Sequence, residues 1–265
     1  MAEADEQVDT SDCGDCGKAR KQKRRLPEWM KNVVVDKDHT KMKRKRGGAQ
    51  KGQTTLVTDL PVLKFTGNIV YCYQKDDCSF MCEDIMSNST SGPSCVVGFD
   101  IEWPVTYTAG KEEKTAVLQL CPSHNNCYLF HLSCMSGFPG GLKKLLETES
   151  MKKVGVGIQG DVWKLLRDFD IQMKGGVDLS NLANQKTGSA EIWSLDNLCK
   201  HVLKQRLDKD PGVRKSDWRQ YPLTPTQKQY AAADAYAGLL LYNKLTQTRG
   251  KGNTDTMKEA IYKRQ

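Results

Sequence analysis

The stretch CVVGFDIEW, residues 95–103, decides the fold class of this chain. Short runs rich in Val, Ile and Phe are typical of strands, on which alternate side chains point to opposite faces. Phe99 and Ile101 are therefore expected on one face, and Asp100 and Glu102 on the other. Two similar runs follow after brief connections, TAVLQLC at 115–121 and CYLFHL at 127–132. The three runs predict antiparallel hairpins.

Beyond the hairpins, strand and helix patterns alternate along the chain. They predict strands at 154–158 and 177–179 and helices at 142–147, 161–169 and 194–203. The last helix, residues 225–245, has the clearest start, because Thr224-Pro-Thr-Gln227 is a capping box with proline at the first helical position. Hairpins followed by β-α-β units predict an α/β fold, a mixed β-sheet flanked by α-helices.

Charge divides the 265 residues into a folded part and two tails. Residues 1–17 contribute −6 to the net charge of +8, residues 18–51 contribute +11, and all the others contribute +3. The basic clusters KARKQKRR, 18–25, and KMKRKR, 41–46, are typical of nuclear-import or polyanion-binding arms, although a solubilising tail can look the same. We expect a disordered acidic-then-basic tail at 1–55, a folded domain at 56–248 and a basic tail at 249–265.

The cellular compartment can also be predicted. No apolar run approaches the roughly 18 residues of a membrane span, and the N-terminus is acidic rather than signal-like, so we expect a soluble intracellular protein with no membrane contact. Ten scattered cysteines are typical of buried free thiols in a reducing compartment. The His-x-x-Cys pairs at 124–127 and 131–134 raise zinc as an alternative, but a strand would direct alternate side chains to opposite faces.

Four carboxylates and a tyrosine form the candidate catalytic set. Asp100 and Glu102 share one strand face, where they repel each other unless a cation lies between them; a solvent-facing acidic edge is the alternative. Tyr230 and Asp234 share a helix face among small residues (AAADAYAG) that allow close approach to a sheet. Asp161 lies at a predicted helix start. The alternative to a catalytic role is that the helix dipole favours an acidic residue at this position. Together the carboxylates suit two Mg²⁺ ions clamping a phosphodiester, with Tyr230 orienting the attacking water.

A rival motif overlaps this set. Residues 155–160 read G-x-G-x-x-G, with Asp178 eighteen residues beyond the last glycine, which is the form of a dinucleotide-binding fingerprint. Against it, the preceding strands look antiparallel, and Asp161 would place negative charge where a pyrophosphate docks. We therefore expect no nucleotide cofactor.

Residues 200–219 are expected to contact the substrate. They hold seven Lys/Arg and three acids, a net charge of +4. Arg214, Lys215 and Arg219 surround Trp218 directly before the Tyr230–Asp234 helix, an arrangement that suits a phosphate-backbone groove. A solvated helix-and-loop face would have the same composition.

Several segments resemble one family. Together they are similar to Werner-type 3′→5′ exonuclease domains and, more broadly, to the DEDD exonuclease superfamily, in the subgroup with tyrosine in the last motif that includes RNase D. The resemblance covers about residues 60–245. The segments are CVVGFDIEWP, KTAVLQLCPSHNNCYLFHLSCMSGFPGGLKKLLE, GVGIQGDVWKLLRDFDI, IWSLDNLCKHVL and PLTPTQKQYAAADAYAGLLLY.

The resemblance implies a ribonuclease H-like mixed sheet and assigns roles to the residues. Tyr230 would position the water, and Trp163 would lie near the substrate end. The implied metal ligands are Asp100, Glu102, Asp161 and Asp234. Vertebrate members of this Werner-type family continue into a helicase, whereas this chain ends at 265, so we expect an excerpt or a stand-alone exonuclease and assign it no helicase activity.

The expected function is a nuclear 3′→5′ exonuclease that uses two Mg²⁺ or Mn²⁺ ions. It would release 5′-mononucleotides from DNA with an accessible 3′ end, in genome maintenance. The same chemistry on RNA, as in RNase D, is the alternative, because contacts to a 2′-hydroxyl cannot be read from the residues. A non-catalytic DNA-end-binding module is a third reading, which the four carboxylates oppose because without metal they would repel a phosphate backbone.

Overall fold

The computed structural model describes residues 60–89, 95–108 and 110–247. The predicted tails at 1–55 and 249–265, with both basic clusters, lie outside the described residues. Within the described residues, no helix combines the length and apolar character needed to cross a membrane.

A six-stranded mixed sheet forms the centre of the fold. Its order is β1-β4-β3-β2-β5-β6. β2, β3 and β4 pair antiparallel as the predicted hairpins, whereas β1 runs parallel to β4, and β5 runs parallel to both β2 and β6. The strands are β1 Asn68–Cys72, β2 Cys95–Glu102, β3 Val117–Cys121, β4 Asn126–Phe130, β5 Met151–Gly155 and β6 Gly176–Asp178. The predicted mixed sheet is confirmed.

Helices cover both faces of the sheet. The apolar residues of α1, α2 and α3 pack with Phe99 and Ile101 on one face, and α7 packs on the other, which carries Asp100 and Glu102. The helices are α1 Lys75–Ser89, α2 Gly140–Glu147, α3 Ile158–Phe169, α4 Leu179–Thr187, α5 Leu195–Leu198, α6 Pro211–Arg214 and α7 Pro225–Gln247. A π-helical turn, Cys199–Leu203, continues α5.

The sequence-based prediction misplaced one strand and missed several elements. The strand predicted at 154–158 lies at Met151–Gly155, because Gly157 adopts a left-handed conformation (φ 72°) and starts α3 three residues before Asp161. β1, α1, α4 and α6 were not predicted. β5, α3 and β6 form a parallel β-α-β unit, as predicted after the hairpins, so the antiparallel strands β2, β3 and β4 are no argument against the motif at 155–160.

The approach of α7 to the sheet is close enough to exclude side chains. A Cβ atom on Gly98 would lie 1.9 Å from the carbonyl oxygen of Ala235, and one on Gly238 would lie 2.9 Å from the carbonyl oxygen of Val154. The predicted capping box starts α7: the Gln227 side chain accepts the Thr224 N–H at 2.9 Å. The small residues of α7 thus bring its functional side chains down onto β2.

Candidate active site

A cleft of about 700 Å³ opens where β2 ends, between α3 and α7. It is walled by the first turn of α3, the start of α5 and residues from the segment 209–215. All five predicted catalytic residues line it: Asp100, Glu102, Asp161, Tyr230 and Asp234. The strand and both helices therefore assemble the catalytic set that was predicted from three separate stretches of sequence.

Three carboxylates meet at the floor of this cleft. One carboxylate oxygen from each of Asp100, Glu102 and Asp234 lies within 4.8 Å of the other two. Strand alternation aims the first two at α7, and the close approach of α7 to Gly98 brings Asp234 to them. Asp161 lines the same cleft from the first turn of α3 but is not one of this trio.

Burial and like charge raise the pKa of these carboxyl groups. The pKa of Asp100 is well above its usual range, first because of burial and then because of Asp161 and Asp234. Burial also raises the pKa of Glu102 well above its usual range, followed by the charge of Asp100. The pKa of Asp234 is raised by burial, although Lys209 opposes the shift. Without a cation, the cluster therefore favours protonation.

Lys209 is a site residue that was not singled out from the sequence. Its ammonium donates to both carboxylate oxygens of Asp234, at 3.1 and 3.3 Å, and lies 5.4 Å from the centre of the Tyr230 ring. It belongs to the basic segment 200–219, but two flanking acids, Asp208 and Asp210, make it look solvated. Only the fold of this segment back over α7 reveals its position.

Tyr230 lies one helical turn before Asp234 and is largely buried. Burial is the main cause that raises the pKa of its hydroxyl, and the charge of Asp234 adds to it. The hydroxyl is consequently protonated at neutral pH and can donate a hydrogen bond in the cleft.

The predicted nucleic-acid contacts lie in different places. Arg214 and Lys215 line the cleft, and the Trp163 side chain is 53% exposed. Arg219 does not line the cleft and pairs instead with Glu113, at 3.2 Å.

Trp218 is a correction to the predicted contacts. Its ring is fully buried, 6.1 Å from the ring of Tyr230, and its indole N–H donates to the Arg214 carbonyl oxygen at 3.2 Å. A buried ring cannot stack on a base, so Trp218 supports the cleft by packing rather than by contact. Charged residues lie on both sides of Trp218 in the sequence, so no sequence pattern indicated that its side chain is buried.

The two alternatives to the carboxylate site were the G-x-G-x-x-G motif at 155–160 and the His-x-x-Cys pairs. Asp178 accepts the N–H groups of Gly157, at 2.9 Å, and Ser180, at 2.8 Å, so its carboxylate caps α4 and holds the glycine turn. The Cys134 thiol lies 3.4 Å from the His131 ring, but the acidic trio is the one potential metal-ligand group found among the described residues. Of the eight described cysteines, all free, six are buried as expected.

The donor set of the cleft suits a hard divalent cation. Carboxylate oxygens are preferred ligands of Mg²⁺ and Mn²⁺. The trio is also short of positive charge: among the described residues, the ammonium of Lys209 is the one cation in direct contact with it. A bound cation would relieve the repulsion that raises the pKa values, so the residues present fit such an ion.

Titration of Asp161 provides a test of this electrostatic description. Burial, followed by the charge of Asp178, raises the pKa of Asp161 to about 7. Because the folded state then holds the proton more tightly than the unfolded state, the free energy of unfolding should fall as pH rises from about 4 to about 7. After allowance for partial exposure, Asp161 should account for about 2 kcal/mol of this loss.

Urea unfolding of the metal-free protein between pH 5 and pH 8 measures this effect. The variant Asp161→Asn should lose less stability than wild type over this range, whereas Glu83→Gln, on the far face of the sheet, should match wild type. Equal pH slopes for Asp161→Asn and wild type would contradict the raised pKa.

Sequence and structure comparisons agree with this geometry. A sequence model of the 3′-5′ exonuclease family matches residues 71–248. The chain is 51% identical over 222 residues to the mouse bifunctional 3′-5′ exonuclease/ATP-dependent helicase WRN, covering 84% of this chain and 15% of that protein. It is 35% identical over 192 residues to an Arabidopsis thaliana 3′-5′ exonuclease, covering 71% of this chain and 66% of that one.

Solved structures share the fold at lower identity. The EXO domain of Aedes aegypti Nibbler superposes with a TM-score of 0.59 at 19% identity, covering 76% of this chain and 98% of that one. Escherichia coli RNase D superposes with a TM-score of 0.56 at 21% identity, covering 74% of this chain and 49% of that one. With its mixed sheet, its acidic cleft and the matched segment, the chain belongs to the 3′-5′ exonuclease family, in the DEDD group with tyrosine in the last motif.

Proposed function

We propose that this protein is a divalent-metal-dependent exonuclease that removes 5′-mononucleotides from the 3′ end of DNA. The observation that carries the proposal is the acidic trio Asp100, Glu102 and Asp234 on the floor of a cleft that basic side chains also line. The choice of DNA follows the resemblance to Werner-type exonuclease domains, and the chain is 51% identical to the mouse exonuclease/helicase WRN. The chain spans only 15% of the mouse protein, so the helicase activity in that protein's name is not included.

Each residue of the cleft has a role in this proposal. The trio, with Asp161, would hold two Mg²⁺ or Mn²⁺ ions. When bound, such ions neutralise the scissile phosphate and activate the attacking water. The protonated hydroxyl of Tyr230 orients that water. Lys209 and Arg214, which line the cleft, bring positive charge to the phosphate backbone.

The test is digestion of 5′-labelled DNA duplexes with recessed 3′ ends, with Mg²⁺, with Mn²⁺ or with EDTA, beside single-stranded DNA and RNA of the same sequence. A metal-dependent ladder on DNA supports the proposal. A ladder on RNA alone replaces it with the RNase D-like alternative. Binding of DNA without any ladder favours the end-binding module.

The proposal extends to a nuclear location and genome maintenance. The basic clusters at 18–25 and 41–46 support it, since such runs are typical of import signals. Deleting residues 1–51 should reduce nuclear accumulation of a fluorescent fusion while turnover of a short substrate stays unchanged. Exchange of only the basic residues of both clusters for glutamine is the matched control for loss of chain length. Unchanged nuclear accumulation of both variants would refute the import role.

A further inference from the structure

Two exposed tyrosines form a pair outside the cleft. The side chains of Tyr73 and Tyr221 are 38% and 54% exposed, and their ring centres lie 5.0 Å apart with the ring planes at 68°. Neither residue lines the catalytic cleft. Large aromatic side chains at the surface are often binding elements, particularly when the backbone that carries them is well fixed.

The sheet register places this pair relative to the acidic trio. Glu102 pairs with Val117 and Phe130 pairs with Cys72, so the C-terminal ends of β2, β4 and β1 lie at one edge of the sheet. Tyr73 follows β1 at this edge, three strand spacings from β2. At about 4.8 Å per spacing, the pair lies about 14 Å from the end of β2.

The pair and the trio also share a face of the sheet. Tyr71, two residues before Tyr73, packs against the buried cluster that contains Tyr230, which is the α7 face. The rings of Tyr71 and Tyr73 lie 5.9 Å apart. A nucleic-acid strand that enters the cleft from the β1 side of the sheet can therefore pass the tyrosine pair without crossing the sheet.

The loop that carries Tyr221 is held at both ends. At one end, the His131 ring hydrogen-bonds the Trp218 carbonyl oxygen at 3.0 Å; at the other, the Leu223 N–H donates to the Tyr71 hydroxyl at 3.3 Å. Trp218 and Leu223 are both buried. Tyr221 is therefore presented on a short anchored loop, which lowers the entropy lost when a ligand binds its ring.

Positive charge lies beside the pair. The ammonium of Lys228 lies 3.9 Å from the centre of the Tyr71 ring. The charge of Lys228 also acts on His131, whose ring centre lies 6.4 Å from that of Tyr221. Lys228 forms no ion pair with a carboxylate of the described residues. Aromatic faces for bases beside a cation for phosphates are the chemistry of a single-stranded nucleic-acid site.

We propose that Tyr73 and Tyr221, with Lys228, form a stacking platform for the substrate strand upstream of the hydrolysed end. At 3.4 Å per stacked nucleotide, a distance of about 14 Å corresponds to about four nucleotides. The platform rests on the proposed function, because it binds the same strand whose 3′ end occupies the cleft. Substrates longer than about four nucleotides contact the platform, whereas shorter substrates bind in the cleft alone.

Binding to the full-length protein in EDTA tests the platform without hydrolysis. Fluorescence anisotropy at near-physiological salt would compare 5′-labelled single-stranded DNA of 3 and of 12 nucleotides. The double variant Tyr73→Ala/Tyr221→Ala should bind the 12-mer roughly tenfold more weakly than wild type and the 3-mer equally well. Tyr73→Phe/Tyr221→Phe should bind both like wild type, because the stacking faces remain.

Two further variants sharpen the comparison. Phe80→Ala removes an aromatic side chain that is 73% exposed on α1, which packs on the opposite face, and should leave 12-mer binding unchanged. Lys228→Gln should lower the salt dependence of 12-mer binding while keeping the tyrosines. If the alanine pair fails to fold, the phenylalanine pair and Lys228→Gln still decide. Weak 12-mer binding by the phenylalanine pair, or an unchanged salt dependence for Lys228→Gln, overturns the platform.

The outcomes separate this proposal from the proposed function. Unchanged 12-mer binding by the alanine pair, or equal weakening for the 3-mer and the 12-mer, overturns the platform even if the protein digests DNA. A selective loss of 12-mer binding supports the platform even if wild type shows no hydrolysis, in which case only the exonuclease proposal fails. If the two tyrosines instead bind a protein partner, the alanine pair should bind the 12-mer like wild type, which also overturns the platform.

Discussion

Exchange of Asp100 for asparagine should lower the rate of 3′ end hydrolysis at least about a thousandfold without unfolding the protein. The amide has the size of the carboxylate but lacks its charge, so the acidic trio loses one anionic metal ligand. In other enzymes, removing a group that stabilises the charge of the transition state lowers the rate by about a hundredfold to a thousandfold. Asp234→Asn should have the same effect, because its carboxylate belongs to the same trio.

The stability of the same variants separates a catalytic role from a structural one. Burial and neighbouring charges raise the pKa of Asp100, which means that the charged form is unfavourable in the metal-free fold. Asp100→Asn should therefore be at least as stable as wild type at pH 8 in EDTA, and Mg²⁺ should raise its melting temperature less than that of wild type. Glu83→Gln, an exposed carboxylate on α1, should retain full activity and the full response to metal.

Gel analysis of labelled DNA together with thermal melting would measure both properties. An Asp100→Asn or Asp234→Asn protein that retained a tenth or more of the wild-type rate would refute the assignment of the site. If a variant lost activity because it unfolded, that loss would not support the assignment of the site. It would also contradict the stability that we expect of the variant.

Gly98→Ala should destabilise the protein by about 3 kcal/mol, the upper part of the range for overpacked sites. The added methyl group would lie 1.9 Å from the carbonyl oxygen of Ala235, a backbone atom that cannot move aside as a side chain can. Helix α7 must then shift away from β2. For a domain of this size the melting temperature should fall by about 10 °C.

The same shift should damage catalysis in the molecules that remain folded. Gly98 precedes Asp100 by two residues on β2, and Ala235 follows Asp234 on α7, so a wider spacing separates the carboxylates directly. Activity per folded molecule, measured well below the melting temperature, should consequently fall as well.

Gly160→Ala is the matched control for this effect. Gly160 lies within α3, and apart from the backbone of its own helix a Cβ atom there would meet no atom within 4 Å. Because alanine favours a helix by about 1 kcal/mol over glycine, this variant should be slightly more stable than wild type. If Gly98→Ala instead melted at the wild-type temperature, the described contact between α7 and β2 would be wrong.

Local patterns in the sequence were sufficient for much of the fold. Alternation over residues 95–103 predicted β2 and the face of its two carboxylates, and the capping box predicted the start of α7. Side-chain alternation on a strand and capping at a helix start depend on neighbouring residues alone, so they can be read without the fold. The strand predicted at 154–158 was misplaced because the left-handed turn at Gly157 gives no periodic signal.

Only the tertiary structure decided which side chains meet. Asp100, Glu102 and Asp234 were predicted as a set, but their approach to within 4.8 Å depends on the contact of α7 with Gly98. Lys209 and Trp218 come from one basic segment, yet the first reaches the acidic trio and the second is buried beneath Tyr230. Sequence composition describes a segment as a whole, whereas burial depends on how distant segments pack against it; no local pattern could distinguish these two residues.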